Sequence, residues 1–413
     1  QYPPKVTEKT VERVETISTI LLQLDNYNTV LVEGPKNIGK SILLSQIVNT
    51  KIKDAIVLFI DDRQKINITD SDICKDLFLQ VRSLNDEQAD LSKLISKKVS
   101  LSDLKEEFRS LLYNLKLKNK KITFIFDGVI DLEIKDDFIA KLFLILPFDK
   151  NVNFLISTNG DDKTKYIKEG FRTYSVNVLN TQEVMKMIPG CNNEQAEQVI
   201  RQYGGMPDKI AVVSRLVSKG ESFDEILNNN CNSVSELYNH EYDLEVTSDI
   251  LEDILGVISF SQGKVTKTRI ANMLKIPHDD LNILLGKLSF ITISNETVDL
   301  ASQGHYNFLK EKLKKKKIKY IDLHIENYEN AETSDINLPE VIRYYSEKGD
   351  SSGVITQLSD EHILDIYKES LSIAELTRSV QTGLDAAKAI KDEISTNKFN
   401  LLKCALTNIN KSE

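Results

Sequence analysis

Cysteine is scarce: Cys74, Cys191, Cys231 and Cys404 are the only four in 413 residues. They are widely scattered, form no C-x-x-C pair and have no histidine at ligand spacing, so neither a zinc site nor a disulfide framework is indicated and the cytoplasm fits best. Long apolar runs are missing too. None approaches the roughly 20 residues that a membrane helix needs, so no membrane span is expected. The first residues, Gln1-Tyr2-Pro3-Pro4-Lys5, show neither a methionine nor a signal-peptide pattern and read as a linker behind an upstream segment. An excess of positive charge is also absent. The 53 Lys and Arg stand against 62 Asp and Glu, a net charge of −9, which argues against broad nucleic-acid binding. Lys310, Lys312, Lys314 to Lys317 and Lys319 form a local basic run, read here as a solvated face rather than a nucleic-acid contact.

What is present describes a globular protein, with 41% hydrophobic and 28% charged residues. The chain is too long for one ordinary core, and about two to four domains are expected. Its organising stretch is Thr29-Val30-Leu31-Val32-Glu33-Gly34-Pro35-Lys36-Asn37-Ile38-Gly39-Lys40-Ser41-Ile42-Leu43-Leu44. An apolar strand feeds a glycine-bounded loop of the form G-x-x-x-x-G-K-S, and the loop feeds an apolar helix. Such a loop needs glycine to turn tightly enough for successive N–H groups to face phosphate oxygens, and the helix behind it adds the positive end of its dipole. The expected nucleotide contacts are Gly34, Pro35, Lys36, Asn37, Ile38, Gly39, Lys40, Ser41 and Ile42. Lys40 would reach the terminal phosphates, and Ser41 would hold Mg²⁺.

Around this loop the chain alternates β and α signals. Val11, Val14, Ile17, Leu21 and Leu24 predict an amphipathic helix over 8–24. Ala55 to Ile60 reads as a buried parallel strand closed by Asp61 and Asp62, and helical patterns fill 70–84 and 101–117. Lys121 to Asp131 is an apolar strand that ends in an acid, a Walker B pattern. It delivers Asp127 to the rim of the sheet, where the carboxylate would hold Mg²⁺ beside the phosphates. A helix over 136–146 leads to a strand, Asn151 to Asn159, whose end offers Thr158 and Asn159 as sensors of the γ-phosphate. A last strand, Thr173 to Val178, completes a five-stranded parallel sheet.

Beyond residue 180 the pattern is helical. Tyr203-Gly204-Gly205-Met206-Pro207-Asp208 interrupts two helices. From 240 to about 313, helical stretches Ile250 to Phe260, Thr266 to Leu274 and His278 to Leu288 precede short strands at Ile291 to Ile293 and Val298 to Leu300, a winged-helix pattern. The presumed recognition helix holds Asp279 and Asp280 against Lys287, which favours protein packing over DNA. The remainder is helical and reads as the possible first turns of an α-solenoid that would continue past Glu413. The expected fold is therefore multidomain, α/β then α: a linker and leading helix (1–25), a P-loop parallel-sheet domain (26–180), a helical lid (181–238), a winged helix (239–318) and a C-terminal helical domain (319–413).

With these parts in this order the chain resembles the STAND class of signal-transducing NTPases, the NACHT- and NB-ARC-like group of immune receptors, apoptosome scaffolds and bacterial antiviral receptors. The resemblance rests on Gly34 to Ser41, Phe126-Asp127-Gly128, Ser157-Thr158, Gly205-Met206-Pro207 and the stretch Ser302 to Leu309. It implies that Pro207 touches the adenine and that His305 contacts the β-phosphate of ADP. Two departures accompany it: the Walker B strand continues to Ile130-Asp131 where family members often have Asp-Glu, and Asn159 stands where an arginine is often found. Asp131 is then the candidate that orients the attacking water, and slow ATP turnover is implied. The function implied is an ATP/ADP switch that is a closed monomer with ADP and a homo-oligomer when opened. A C-terminal sensor would meet a protein trigger and an N-terminal effector would act, in antiviral defence. Two other readings stay open: an ATP-dependent transcription regulator that binds DNA through its winged helix, and an ATPase motor of the AAA+ or origin-binding type, with Arg172 or Arg201 as a finger.

Overall fold

The structure is a computed structural model, and it describes residues 10–52, 55–60, 70–84, 101–118, 121–128, 151–159, 171–228, 233–330, 337–370 and 373–412. The chain divides into two compact units, Gln1–Leu237 and Tyr238–Glu413. No helix among the described residues is long and apolar enough to cross a membrane.

The first unit is built on strands β1 (Thr29–Glu33), β2 (Ala55–Phe59), β3 (Ile122–Asp127), β4 (Val152–Thr158) and β5 (Arg172–Ser175). They form one sheet in the order β2-β3-β4-β1-β5, and every neighbouring pair is parallel. Successive side chains of a strand face opposite sides, so a strand covered on both faces is apolar throughout rather than alternating. That is how β1 to β4 read, whereas the edge strand β5 is Arg172-Thr173-Tyr174-Ser175 and not buried. Leu31, Ile56, Leu58, Phe124, Phe126, Phe154 and Ile156 share one core with helices α3 (Asp70–Leu84) and α4 (Leu101–Leu117). Val30, Val32, Val57, Phe59, Ile125 and Leu155 share another with α1 (Val14–Tyr27) and α2 (Lys40–Thr50). At the β2 edge, Gln80 of α3 accepts from the Val57 N–H and donates to its carbonyl, each at 2.7 Å. That pairing satisfies a backbone that would otherwise be an open edge.

Several sequence boundaries move, two of them with a visible cause. The leading helix begins at Val14 rather than 8 and runs to Tyr27, where Asn28 takes a left-handed conformation and returns its N–H to Leu24. The last strand stops at Ser175 rather than Val178, because its partner β1 stops pairing at Glu33. The helix expected over 136–146, Asp61 and Asp62 lie outside the described residues.

After the sheet come α5 (Thr181–Met187), α6 (Asn193–Tyr203), α7 (Pro207–Ser218) and α8 (Phe223–Asn228). The first two start in capping boxes, Asn180 with Glu183 and Asn192 with Gln195, which satisfy helix N–H groups that have no partner within the helix. Helix α9 (Val234–Glu245) contains the division between the units.

The second unit holds α10 (Asp249–Ser259), β6 (Val265–Thr266), α11 (Lys267–Leu274), α12 (His278–Leu285), β7 (Ile291–Ser294), β8 (Thr297–Leu300) and α13 (Gln303–Lys312). The three strands form an antiparallel sheet in the order β6-β8-β7. Helices α14 (Lys317–Glu329), α15 (Leu338–Lys348), α16 (Ser351–Gln357), α17 (Asp360–Ser370), α18 (Ile373–Ala389) and α19 (Glu393–Ser412) follow. The unit has two cores, and α14 serves both: Tyr320 belongs to the first, Ile321, Ile325 and Tyr328 to the second.

Candidate functional site: the phosphate loop and its clasp

The carboxyl ends of β1, β3 and β4 bring the candidate residues to one rim of the sheet. Gly34 to Gly39 joins β1 to α2, and it closes on itself. The Gly34 N–H donates to the Thr158 carbonyl at 3.2 Å, and a Cβ on Gly34 would meet Ile38 Cγ2 at 2.9 Å. Asn37 (φ 67°) and Gly39 (φ 90°) are both left-handed, which gives the loop the tight reversal that a phosphate cradle requires. Ile38 is buried at 1% exposure and anchors the loop, whereas Pro35, Lys36 and Asn37 are exposed.

Lys40, in the first turn of α2, donates to the carbonyls of Gly34 (2.6 Å) and Pro35 (2.9 Å) and to Asn159 Oδ1 (2.9 Å). Of the two residues expected as γ-phosphate sensors, Thr158 is buried at 2% exposure and holds Gly34 through its carbonyl. Asn159 is the one whose side chain reaches Lys40. Asp127 ends β3 at 8% exposure, and the strand exit is fixed around it. Its carbonyl accepts from the Ile60 N–H at 3.0 Å, and the Gly128 N–H donates to Ser157 Oγ at 3.2 Å. Asp131 lies outside the described residues.

The helical segment after β5 returns to this loop. The Leu179 N–H donates to the Gly205 carbonyl at 2.9 Å, and Gly205 is left-handed (φ 66°) with no room for a Cβ beside the Leu179 carbonyl. That fixes the start of α7. Met206 packs on the core that holds Ile38. A Cβ on Gly39 would lie 3.8 Å from Pro207 Cγ, and the Asp208 carboxylate accepts from the Lys209 N–H at 2.8 Å. Burial pushes the Asp208 carboxyl above the usual aspartate value, opposed by hydrogen bonds from Lys209 and Asn37. Met206 and Pro207 thus seat the start of α7 against the loop and the core beneath it.

Residues 11–213 match an ATPase domain predominantly from Archaea. The fold agrees. Over its whole length the chain superposes on a STAND protein with a tetratricopeptide repeat sensor from Pyrococcus horikoshii, with a TM-score of 0.63 at 15% identity. The chain spans 59% of that protein's length. A Walker-type ATPase of Pyrococcus abyssi matches 75% of this chain and 98% of its own, with a TM-score of 0.43 at 18% identity. No curated protein matches. The first unit therefore carries a P-loop ATPase-type fold.

His305 lies in the second unit, in the first turn of α13 and 2% exposed. Its Nδ1 is 2.8 Å from Ser302 Oγ, its Nε2 is 3.6 Å from Glu241 Oε2, and the rings of Tyr238 and Phe290 flank it at 4.7 Å. The lysine run finds acids in the same unit. Lys316 pairs with Glu252, Lys317 with Glu347 at 3.0 Å and Lys319 with Asp253 at 2.5 Å. Sequence reasoning missed the contact of Lys40 with Asn159, which had no local signal, since 119 residues separate the pair.

Proposed function

We propose that this chain is a nucleotide-controlled signalling switch of the STAND type, in which the loop from Gly34 to Ser41 holds ATP or ADP and α5 to α8 act as its helical lid. The observation that carries this reading is the clasp: α7 begins against the phosphate loop, so whatever occupies the loop bears on the lid. A ligand moves a conformational equilibrium only by its differential affinity for the two states, and a contact at the phosphates supplies a place for that difference.

Each residue then has a task. Loop N–H groups and Lys40 hold phosphate oxygens, and Asn159 aims the Lys40 ammonium from the neighbouring strand end. The Ser41 hydroxyl and the Asp127 carboxylate are hard oxygen ligands suited to Mg²⁺, and Gly34, which has no space for a Cβ, forms the cradle against which the phosphates fit. Bound Mg²⁺ supplies charge neutralisation between the phosphates. No group of three or more His, Cys, Asp or Glu among the described residues could hold a metal, so in this reading the ion arrives with the nucleotide. Asp131 orients water, and Asn159 in place of an arginine leaves the γ-phosphate without a second cation, so turnover is slow. Pro207 borders the adenine, and His305 contacts the β-phosphate of ADP.

Residues 239–318 form the winged helix of this reading. Asp279 and Asp280 open its presumed recognition helix, and Lys316, Lys317 and Lys319 of the lysine run pair with acids, which supports packing on protein rather than on DNA. Exchange of ADP for ATP opens the molecule, and the open form assembles into a homo-oligomer that engages an effector, in the defence setting that the STAND resemblance implies. Calorimetry on Lys40→Ala tests the site. ATP and ADP binding should be lost because Lys40 supplies charge to phosphate, while the chain still melts cooperatively with a midpoint lowered only by the loss of its bonds to Gly34, Pro35 and Asn159. Unchanged affinity for both nucleotides would remove the assignment.

A further inference from the structure

Helix α9 sets two acids four residues apart on one face, Glu241 and Glu245, and both are buried. Their carboxyl groups meet at one side chain in the turn before β7. Ser289 Oγ lies 2.6 Å from Glu241 Oε1 and also contacts Glu245 Oε1, and the Ser289 N–H donates to Glu245 Oε2 at 2.9 Å. A hydroxyl has one hydrogen, so it donates to only one of two carboxylates. The other contact needs a proton on the carboxyl group itself, with Ser289 Oγ as acceptor. Burial disfavours the ionised form of each acid, and a second carboxylate close by disfavours it again.

The surrounding bonds place that proton. Ser302 Oγ accepts from the His305 N–H at 3.2 Å, and its own hydrogen faces His305 Nδ1 at 2.8 Å. The ring hydrogen of His305 then sits on Nε2, which faces Glu241 Oε2 at 3.6 Å. The charge is matched on Glu241 and the proton on Glu245, and each hydroxyl gives once: Ser302 to His305, Ser289 to Glu241, Glu245 to Ser289. Other ionisable groups border the cluster. The Tyr238 ring flanks His305, Tyr242 donates to Glu252 at 3.0 Å, Glu252 pairs with Lys316, and Lys312 lies over the Tyr242 ring and 3.8 Å from Asp243. Glu252 and Asp243 thus each have a lysine beside them.

We propose that Glu241 and Glu245 hold one proton between them at neutral pH and that this proton latches α9 onto the second unit. Its loss sets two buried carboxylates against each other and loosens the helix. Because α9 contains the division between the units, the latch acts where the chain enters the second one. It does not depend on what the phosphate loop binds. Glutamates of the unfolded chain release their protons near pH 4.3, at about that value, and above it the folded chain alone keeps this one. The stability it contributes is full below about pH 4.3 and declines as pH rises, until the pair gives the proton up.

The experiment compares the full chain with Glu245→Gln and Glu241→Gln. Infrared difference spectra at pH 7, parent against each variant, should show the C=O stretch of a protonated carboxylic acid in the parent, which exposed acids do not give at that pH. Both variants should lose it, because the one carboxylate that remains can take the Ser289 hydrogen. Urea unfolding at pH 6, 7 and 8 is the second reading. The folded-to-unfolded ratio of the parent should fall with rising pH by up to about tenfold per unit more than that of Glu245→Gln. That variant keeps the contact of Glu241 with His305, so the titration of the histidine cancels in the comparison. Two variants guard against one that fails to fold. Difference spectra without the band, or equal pH slopes in parent and Glu245→Gln, would show that both acids are ionised and would overturn the inference.

Discussion

At the scale of single residues, the rim of the sheet depends on positions with no spare room. Gly128 follows Asp127 at φ 72°, and a Cβ there would collide with the Ile60 carbonyl oxygen. Gly128→Ala should cost about 1–3 kcal/mol from the left-handed conformation alone, with the collision added. Urea unfolding of the variant reads that cost, and a variant as stable as the parent would show that the strand exit rearranges freely. The neighbouring change, Asp127→Asn, has a different expected outcome. It keeps the shape and the backbone bonds but removes the charge that would face Mg²⁺, so most nucleotide affinity should remain while the gain from added Mg²⁺ and any hydrolysis fall. Calorimetry with and without Mg²⁺ separates the two effects; an Asp127→Asn chain with the parent's Mg²⁺ dependence would take the carboxylate out of the site. The loop itself was legible in the sequence because its chemistry is written in eight consecutive residues. The side chain that holds Lys40 was not, since Asn159 reaches it through a contact made only by the folded chain.

At the scale of elements, legibility followed periodicity. The helices at 70–84 and 101–117 and the buried strands were read in place because each carries a repeat of 3.6 or a short apolar run. The ends of α1 and β5 were misplaced because they are set by a left-handed asparagine and by where a partner strand stops. Another joint gave no signal at all. His324 of α14 is fully buried, stacked on Tyr344 at 4.7 Å, with Nδ1 3.0 Å from the Arg269 guanidinium and Nε2 3.0 Å from the Val257 carbonyl. Arg269 also pairs with Glu340 at 3.2 Å and lies over the Tyr328 ring, so one buried group ties α11 to α14 and α15. Burial, and then the Arg269 charge, push the His324 pKa down from 6.5 to about 3. The folded state therefore refuses a proton that the unfolded chain accepts. Stability from this residue is fully present above pH 6.5 and is lost as pH falls from there toward 3, about 2 kcal/mol of it by pH 5. Urea unfolding of parent and His324→Gln at pH 7 and pH 5 checks this. The variant should lose less on acidification, whatever its stability at pH 7, and equal losses would mean that carboxylates alone govern the acid limb.

At the scale of the whole molecule, the loop, Asp127, Asn159 and the clasp all belong to the first compact unit, whereas His305 belongs to the second. A signalling reading needs the second unit to respond to the nucleotide, and a response requires a contact whose strength differs between nucleotide states. His305 is the residue to which the proposal gives that contact. Its Nδ1 faces Ser302 and its Nε2 faces Glu241 in a ring only 2% exposed, so in this proposal a phosphate must take the place of Glu241 at Nε2. A charge-assisted hydrogen bond to phosphate contributes about 1.5–3 kcal/mol, so its removal shifts the balance between closed and open forms by about one to two powers of ten. The parent should then carry ADP through gel filtration as a monomer. His305→Ala should release ADP faster and, with ATP supplied, elute as a larger species. Nucleotide content by chromatography after denaturation, exchange rates and elution volume are measured side by side, with melting curves to show that the variant remains folded, since His305 is also packed against Tyr238 and Phe290. A folded variant that retains and exchanges ADP as the parent does would make His305 a packing residue, and the coupling would then have to run through the clasp at α7 alone.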